Sequence, residues 1–450
     1  MSREFKTVDY EQALDSTVKI RECLSPTHLA RFIVQIIAML DLSRIYGRYA
    51  SRGGEAIAPE VLLGLLVYGY ATGIFSSRKL EQLTYESIPF RFLAGGLHPH
   101  HDTISHFRKS FLPEIKELFV QVLLIAQEAG VLKLGNISVD GSKIHADASK
   151  SKAVSYKRLL ELEEKRYTEV EELIALSETP GQLPEQLDLE EEISLRQEHL
   201  TNLAQAKAVI EARAQERYQT EQAEYEVKLK QRQEKVDKTG KQPRGRVPQP
   251  PTPGPRDKDQ YNFTDPDSRI MKNSNNHGFD QHYNVQVAVD QETLLIVANT
   301  LSNHPNDQAE ALPTLGSVPQ ELGTPDAAAL DNGYFSEDNI ADIQACGIEP
   351  YIATGRDTHH RSWHQYFAQQ AEPPANDAST TVKMAYKLQT QVGKAIYRLR
   401  KCTVEPVIGI IKEVLGFRQF SLRSLAAATG EWCLVCLAFN IKRLHVLLSA

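Results

Sequence analysis

Three acidic residues stand at places where the surrounding pattern would aim a carboxylate rather than simply expose it. They are Asp140 in GNISVDGSKIHA, Asp331 in DAAALDNGYF and Glu405 in YRLRKCTVEPVIGIIK. Asp140 follows the ISV run of an alternating apolar and polar stretch, so it is read as a strand residue, and Asp331 closes a second short apolar run of the same kind. Around Glu405, Thr403 can cap and Pro406 suits a first helical turn, which puts Glu405 in the first turn of a helix. On that helix Val407, Ile410, Ile411, Val414 and Leu415 share one face, with Glu405, Gly409 and Lys412 opposite. Taken singly, each acid has an ordinary explanation: a helix-start glutamate, an Asp-Gly turn and an Asp-Asn-Gly turn. Together in one cleft, three carboxylates repel and become tolerable mainly when divalent cations neutralise them. That chemistry suits two-metal phosphoryl transfer, in which one ion activates water or a 3′-hydroxyl and the other, about 3.5 to 4 Å away, stabilises the leaving oxygen.

The charge distribution agrees with a phosphate-rich substrate. The 450-residue chain has a formal charge of −7, a weak argument against DNA on its own. Yet residues 383–423, which surround Glu405, carry nine Lys or Arg against two Glu. The acidic excess lies elsewhere: residues 151–200 hold six basic and thirteen acidic groups. Basic side chains near the third acid would hold a phosphate backbone and screen its charge.

The elements that must position these groups follow from the rest of the pattern. Residues 1–134 are helical throughout, with Pro59 starting and Gly73 ending one helix and Asp102 capping another. Within them SSRKLEQL and HDTISHFRKSF put basic groups on short capped helices, as helix-turn-helix readers of DNA do, although a plain bundle fits equally. His98, His100, His101 and His106 lack complementary Cys or acid spacing and are read as loop histidines. Residues 151–259 are a charged helical hairpin or coiled coil, broken at Pro180, Gly181 and Pro184, followed by a Pro-rich basic linker. Strand-like sequence on both sides makes this stretch an insertion. From 135 the order is strand, insertion, a hairpin over 282–301, helix, strand, helix, strand and the Glu405 helix, which predicts an α/β fold with a mixed sheet flanked by helices.

Five scattered or buried-looking cysteines give neither a disulfide framework nor paired CxxC motifs, so a reducing cytoplasm is the expected setting. No signal peptide and no membrane span is expected, since the C-terminal apolar run is interrupted by Asn440, Lys442 and Arg443.

The segments around the three acids, with RYASRGGEAIAPEVLLGLLVYGYATGIFSSRKLE and HYNVQVAVD, resemble the DDE transposases of bacterial insertion sequences, in the branch with a Tyr-Arg-Glu-Lys signature. In that signature Tyr precedes Arg by three residues, Arg precedes Glu by four and Glu precedes Lys by seven. Here Tyr397 to Arg400 and Glu405 to Lys412 keep their spacing, whereas Arg400 to Glu405 is five, so that either Lys401 replaces the arginine or one residue is inserted. The resemblance implies an RNase H-like catalytic domain over 135–150 and 260–450, an all-helical N-terminal DNA-binding domain over 1–134 and the inserted hairpin with its linker over 151–259. It further implies two Mg²⁺, replaceable by Mn²⁺, on Asp140, Asp331 and Glu405, and DNA contacts from Tyr397, Arg400, Lys401 and Lys412. The expected activity is cleavage at terminal inverted repeats and joining to target DNA by a homodimer at the bacterial nucleoid. The alternatives are a non-catalytic or domesticated DNA-binding protein and an RNase H-like nuclease that cuts without joining.

Overall fold

The computed structural model of the protein describes residues 19–49, 56–177, 188–240, 247–273, 278–355 and 373–449. The expected hairpin break at 180–184, part of the linker (241–246) and residues 1–18 of the expected N-terminal domain lie outside the described residues. The chain divides into two compact units, 1–147 with 271–450, and 148–270.

The first unit is built on a mixed sheet. Its strands are β1 (Asn136–His145), β2 (Arg269–Lys272, at the boundary with the second unit), β3 (Phe279–Asp290), β4 (Ile296–Ser302), β5 (Ala327–Leu330) and β6 (Glu349–Ile352). The order is β2–β3–β1–β5–β6, with β4 also paired to β3. β3 runs antiparallel to β1 and β4, whereas β1–β5 and β5–β6 are parallel. β5 reads AAAL and is wholly buried, as a strand covered on both faces must be. The helix Gln391–Gly409 lies across the parallel half: Ile396 packs with Ala327, Ala329 and Tyr351. Polar bonds fix the same contact, because Gln291 Nε2 donates to Ser138 Oγ at 2.9 Å and to the Ile396 carbonyl at 3.1 Å.

The same unit contains the described N-terminal helices, among them Leu29–Met39, Pro59–Ala71, Ser77–Glu86, His101–Ser110 and Leu112–Glu128. They gather around the C-terminal helix Leu425–Ser449. That helix is long and apolar enough to cross a membrane, but Trp432, Leu434, Cys436, Leu437 and Ile441 are buried in the unit's core. At Gly430 a Cβ would come within 2.5 Å of Leu112 Cβ, so only glycine permits this approach of the two helices. A buried carboxylate, Glu431, accepts from Tyr70 Oη at 2.8 Å; Arg108 donates to Tyr70 Oη and to the Phe75 carbonyl, each at 3.0 Å. Arg108, which the capped-helix pattern offered as a basic group for DNA, is thus turned into the core.

The second unit is a helical pair, Tyr156–Ser177 and Leu189–Thr239, closed by a short two-stranded ribbon of Ala153–Ser155 with Gln260–Asn262. Asp188 caps the long helix, its side chain accepting from Glu191 N, and Gly240 ends it in the left-handed region at φ 66°. Val154, Leu159, Leu203, Ala206 and Ile210 form a core of its own.

Candidate active site

Register places the first two acids side by side. β1 and β5 are parallel neighbours with Val139 opposite Leu330, so the next residues, Asp140 within β1 and Asp331 just past the end of β5, stand at one level. The Asp140-Gly141 pair is not a turn: β1 continues to His145, and Gly141 lies opposite Gln286 on β3. A Cβ at 141 would fall 2.3 Å from Gln286 Nε2, so the glycine makes room for the glutamine folded over it. Asp331 does precede a tight turn, the 3₁₀ stretch Asn332–Tyr334.

The third acid arrives differently from expectation. Glu405 is not in a first turn; it lies well inside the helix Gln391–Gly409, with Pro406 in the interior and a π-helical turn Ile410–Val414 following. An interior proline costs about 3 kcal/mol because it removes a hydrogen bond and crowds the preceding turn. Here Ile396, Val404, Val407 and Ile411 form a buried stripe continuous across it, and that packing offsets the loss. Val414 departs from the expected apolar face, being 72% exposed.

All three carboxylates meet one guanidinium. Arg400, 5% exposed, donates from Nη1 to Asp140 Oδ2 at 3.0 Å and from Nη2 to Glu405 Oε1 at 3.2 Å, and Nη2 is 3.7 Å from Asp331 Oδ1. Arg400 reaches the acids, whereas Lys401 beside it is exposed. Tyr397 stands near the same group, with Arg400 Cζ 5.8 Å from its ring centre. Lys412, seven residues beyond Glu405, donates from Nζ to Ser142 Oγ at 3.0 Å and to the Lys143 carbonyl at 3.3 Å, just past Asp140 on β1. Burial lowers its pKa from the ordinary lysine value, with Glu413 opposing and Arg418 adding to the fall.

Burial likewise pushes Asp140 up to about 6, with Asp331 and Glu405 adding to it; Arg400 and the Gly141 amide pull the other way. One guanidinium against three carboxylates leaves negative charge in excess. An all-oxygen donor set with that excess fits a hard divalent cation.

Several residues of the site carried no signal along the chain. Asp307 lies beside Gly141 and Gly333, its Oδ1 accepting from Asn284 Nδ2 at 2.8 Å and Gln286 Nε2 at 2.9 Å. The buried Tyr334 hydroxyl donates to Gln286 Oε1, and burial first, then the nearby Asp140, Asp307 and Asp331, drives its pKa well above the ordinary value. Next to them a cleft of about 250 Å³ is lined by Gly141, Lys143, Lys272, Asn273, Asn284 and Asp307, which adds two lysines at the acids' edge. The nearest feature to a signal is on β3, where Asn284 and Gln286 alternate with Tyr283, Val285 and Val287: buried amides need partners, but the chain does not say which.

Residues 18–110 match a family model described as a transposase domain (DUF772), and residues 247–441 match one described as a transposase DDE domain. Asp331, Glu405 and Lys412 fall inside the second match, and Asp140 falls in neither. No curated protein and no solved structure matches the chain.

Proposed function

Because the chain belongs to the DDE transposases of the insertion-sequence type, we propose that Asp140, Asp331 and Glu405 are its catalytic acids and that it cleaves DNA at the terminal inverted repeats and joins the ends to target DNA. The observation that carries this reading is the meeting of the three carboxylates, drawn from two strands and a helix, around Arg400. An RNase H-like core is supported by the sheet, in which three antiparallel strands continue into two parallel ones with acids at the junction. Mg²⁺, or Mn²⁺ in its place, held by the three acids would supply charge neutralisation at the scissile phosphate and an activated oxygen nucleophile.

The chain's own side chains divide the remaining work. Asp140, kept largely from water on β1, and Asp331, half-exposed at the end of β5, fix two corners of the site through the sheet register. Glu405 is delivered from the overlying helix, whose position Gln291 and Ser138 secure. Lys412, braced on Ser142, and Lys143 and Lys272 in the adjoining cleft present positive charge to the DNA backbone, with Lys401 and Tyr397 on the helix. Arg400 spaces the acids; a contact from it to DNA requires its guanidinium to turn from them to a phosphate. The partner is double-stranded DNA, bound by a homodimer that pairs two ends, and the N-terminal segment 1–134 is the proposed reader of the repeat.

The test is a cleavage and strand-transfer assay on duplexes carrying the ends of the encoding element. Asp140→Asn, Asp331→Asn and Glu405→Gln should each abolish cleavage and leave DNA binding intact, because an amide keeps the shape and loses the charge. Substantial cleavage by any one variant removes that residue from the site. Cleavage without joined products would reduce the activity to that of a nuclease.

A further inference from the structure

We propose that Glu81, His100, His101 and Asp102 build a second metal site, for a zinc-class divalent ion, with His100, His101 and Asp102 as ligands and Glu81 holding His101 from behind. The site joins two helices of the N-terminal region and is separate from the three catalytic acids. Glu81 lies in the helix Ser77–Glu86, and His101 opens the helix His101–Ser110. One oxygen, Glu81 Oε2, accepts from the His101 backbone amide at 2.9 Å and faces its ring Nδ1 at 2.6 Å. A carboxylate placed there keeps the proton on Nδ1 and leaves the lone pair on Nε2, the arrangement by which proteins orient a ligating imidazole.

That Nε2 is 3.6 Å from Asp102 Oδ1, and His100 Nδ1 is 3.5 Å from Asp102 Oδ2. With metal–ligand bonds of about 2.0 Å, ligand atoms around a tetrahedral ion stand about 3.3 Å apart. Each imidazole therefore stands near that spacing from one oxygen of Asp102, His101 from Oδ1 and His100 from Oδ2. The two imidazoles are neighbours, their ring centres 4.0 Å apart, and the ligand atoms of Glu81, His100 and His101 lie within 4.8 Å of one another. His100 Nδ1 accepts a long bond, 3.3 Å, from the Asp102 amide, which coordination would replace. Two imidazoles and a carboxylate favour a zinc-class ion over magnesium, which prefers oxygen alone. The Asp102 side chain is 82% exposed, so water has access to the site. Bound metal would fix the start of the helix His101–Ser110, and through the His101 ring it would hold the hydrogen bonds that tie this helix to Glu81 in the middle of the other.

The experiment uses the full-length protein, stripped with chelator, in an Asp140→Asn/Asp331→Asn background that weakens the catalytic acids as a competing site. Titration with Zn²⁺, followed by calorimetry, should find one bound equivalent and a raised Tm. Co²⁺ should give the absorption of a tetrahedral nitrogen and oxygen set. Glu81→Gln should weaken Zn²⁺ binding by about 10- to 100-fold, as loss of a partner that orients a ligand does. His101→Ala should abolish both the binding and the cobalt spectrum; circular dichroism verifies its fold, and His100→Ala serves if that variant is unfolded. Absence of zinc binding in the background protein, or unchanged affinity in Glu81→Gln and the histidine variants alike, overturns the site.

Discussion

At the scale of single residues, the site is a problem in charge balance, and two groups make it measurable. Asp140 has a folded pKa of about 6, against about 3.9 in an unfolded chain. Between these values the folded protein holds the proton more tightly, so this group's contribution to stability is fully present below about pH 4 and is lost as pH rises through 6. Two pH units correspond to about 3 kcal/mol, an upper bound for a side chain 22% exposed. In metal-free buffer, the stability of the native protein relative to Asp140→Asn should therefore fall between pH 4 and 7. A difference constant over that range would show that Asp140 does not titrate as described. Arg400 supplies the opposite test. Arg400→Met leaves three carboxylates without their shared cation, and breaking a buried pair costs about 3 to 5 kcal/mol; the lower end applies because Asp331 and Glu405 are half-exposed. Denaturant melts at pH 7 should show that loss, and added Mg²⁺ should recover part of it. A variant as stable as the native chain would mean that Arg400 spaces nothing.

At the scale of elements, the helix that carries Glu405 separates two readings of one proline. If Pro406 sat in a first turn, replacing it would be neutral or harmful, because the missing amide hydrogen would be unpaired anyway. Inside the helix, Pro406→Ala restores a donor for the Cys402 carbonyl and should raise stability by roughly 1 to 3 kcal/mol, read as an increase in Tm. An unchanged or lowered Tm would return Glu405 to the start of a helix. The strands were legible because their signal is local: alternation in β1, an apolar run in β5 and turn residues at 290–293 mark their edges without help from partners. Asp140 and Asp331 stood out because each directly follows an apolar run. The start of the Glu405 helix could not be placed, since Thr403 and Pro406 have the chemistry of a cap and a first turn, and only tertiary burial of Ile396 and Val404 overrides them. Thr403 in fact sits 2.8 Å from Ser138 Oγ, a contact across 265 residues that no local pattern carries. The surroundings of Arg108 and Arg400 were hidden for a related reason. A basic residue in a basic segment reads as surface, and both are held inward by carboxylates distant along the chain.

At the scale of the whole molecule, the question is whether residues 148–270 are a passenger in folding and a participant in function. Their fold is accounted for within the unit: the apolar cluster of Leu159, Leu203 and Ile210, the Lys207–Glu163 pair at 2.8 Å and the two-pronged Arg217–Asp259 contact at 2.9 Å all lie inside it. The pairing of β1 with β3 runs from Ile137↔Asp290 to His145↔His282 and uses none of these residues. Only the outermost strand β2 is shortened by their removal, and an edge strand is the one a sheet can most readily lose. Excising 148–270 and closing 147 to 271 with a short Gly/Ser linker should therefore leave a soluble protein with a cooperative melt. The long helix Leu189–Thr239, about 76 Å at 1.5 Å per residue, outreaches its 22-residue partner, and a charged helix of that length gains most from a second copy. The deletion protein should then bind a single transposon end normally and fail to assemble two, as read by native gel shift with one and two labelled ends. Weaker binding with a shallower salt dependence would instead assign the unit, with its basic linker, to DNA. Normal assembly and normal transposition would make it a spacer, and an insoluble product would show that the sheet depends on the unit after all.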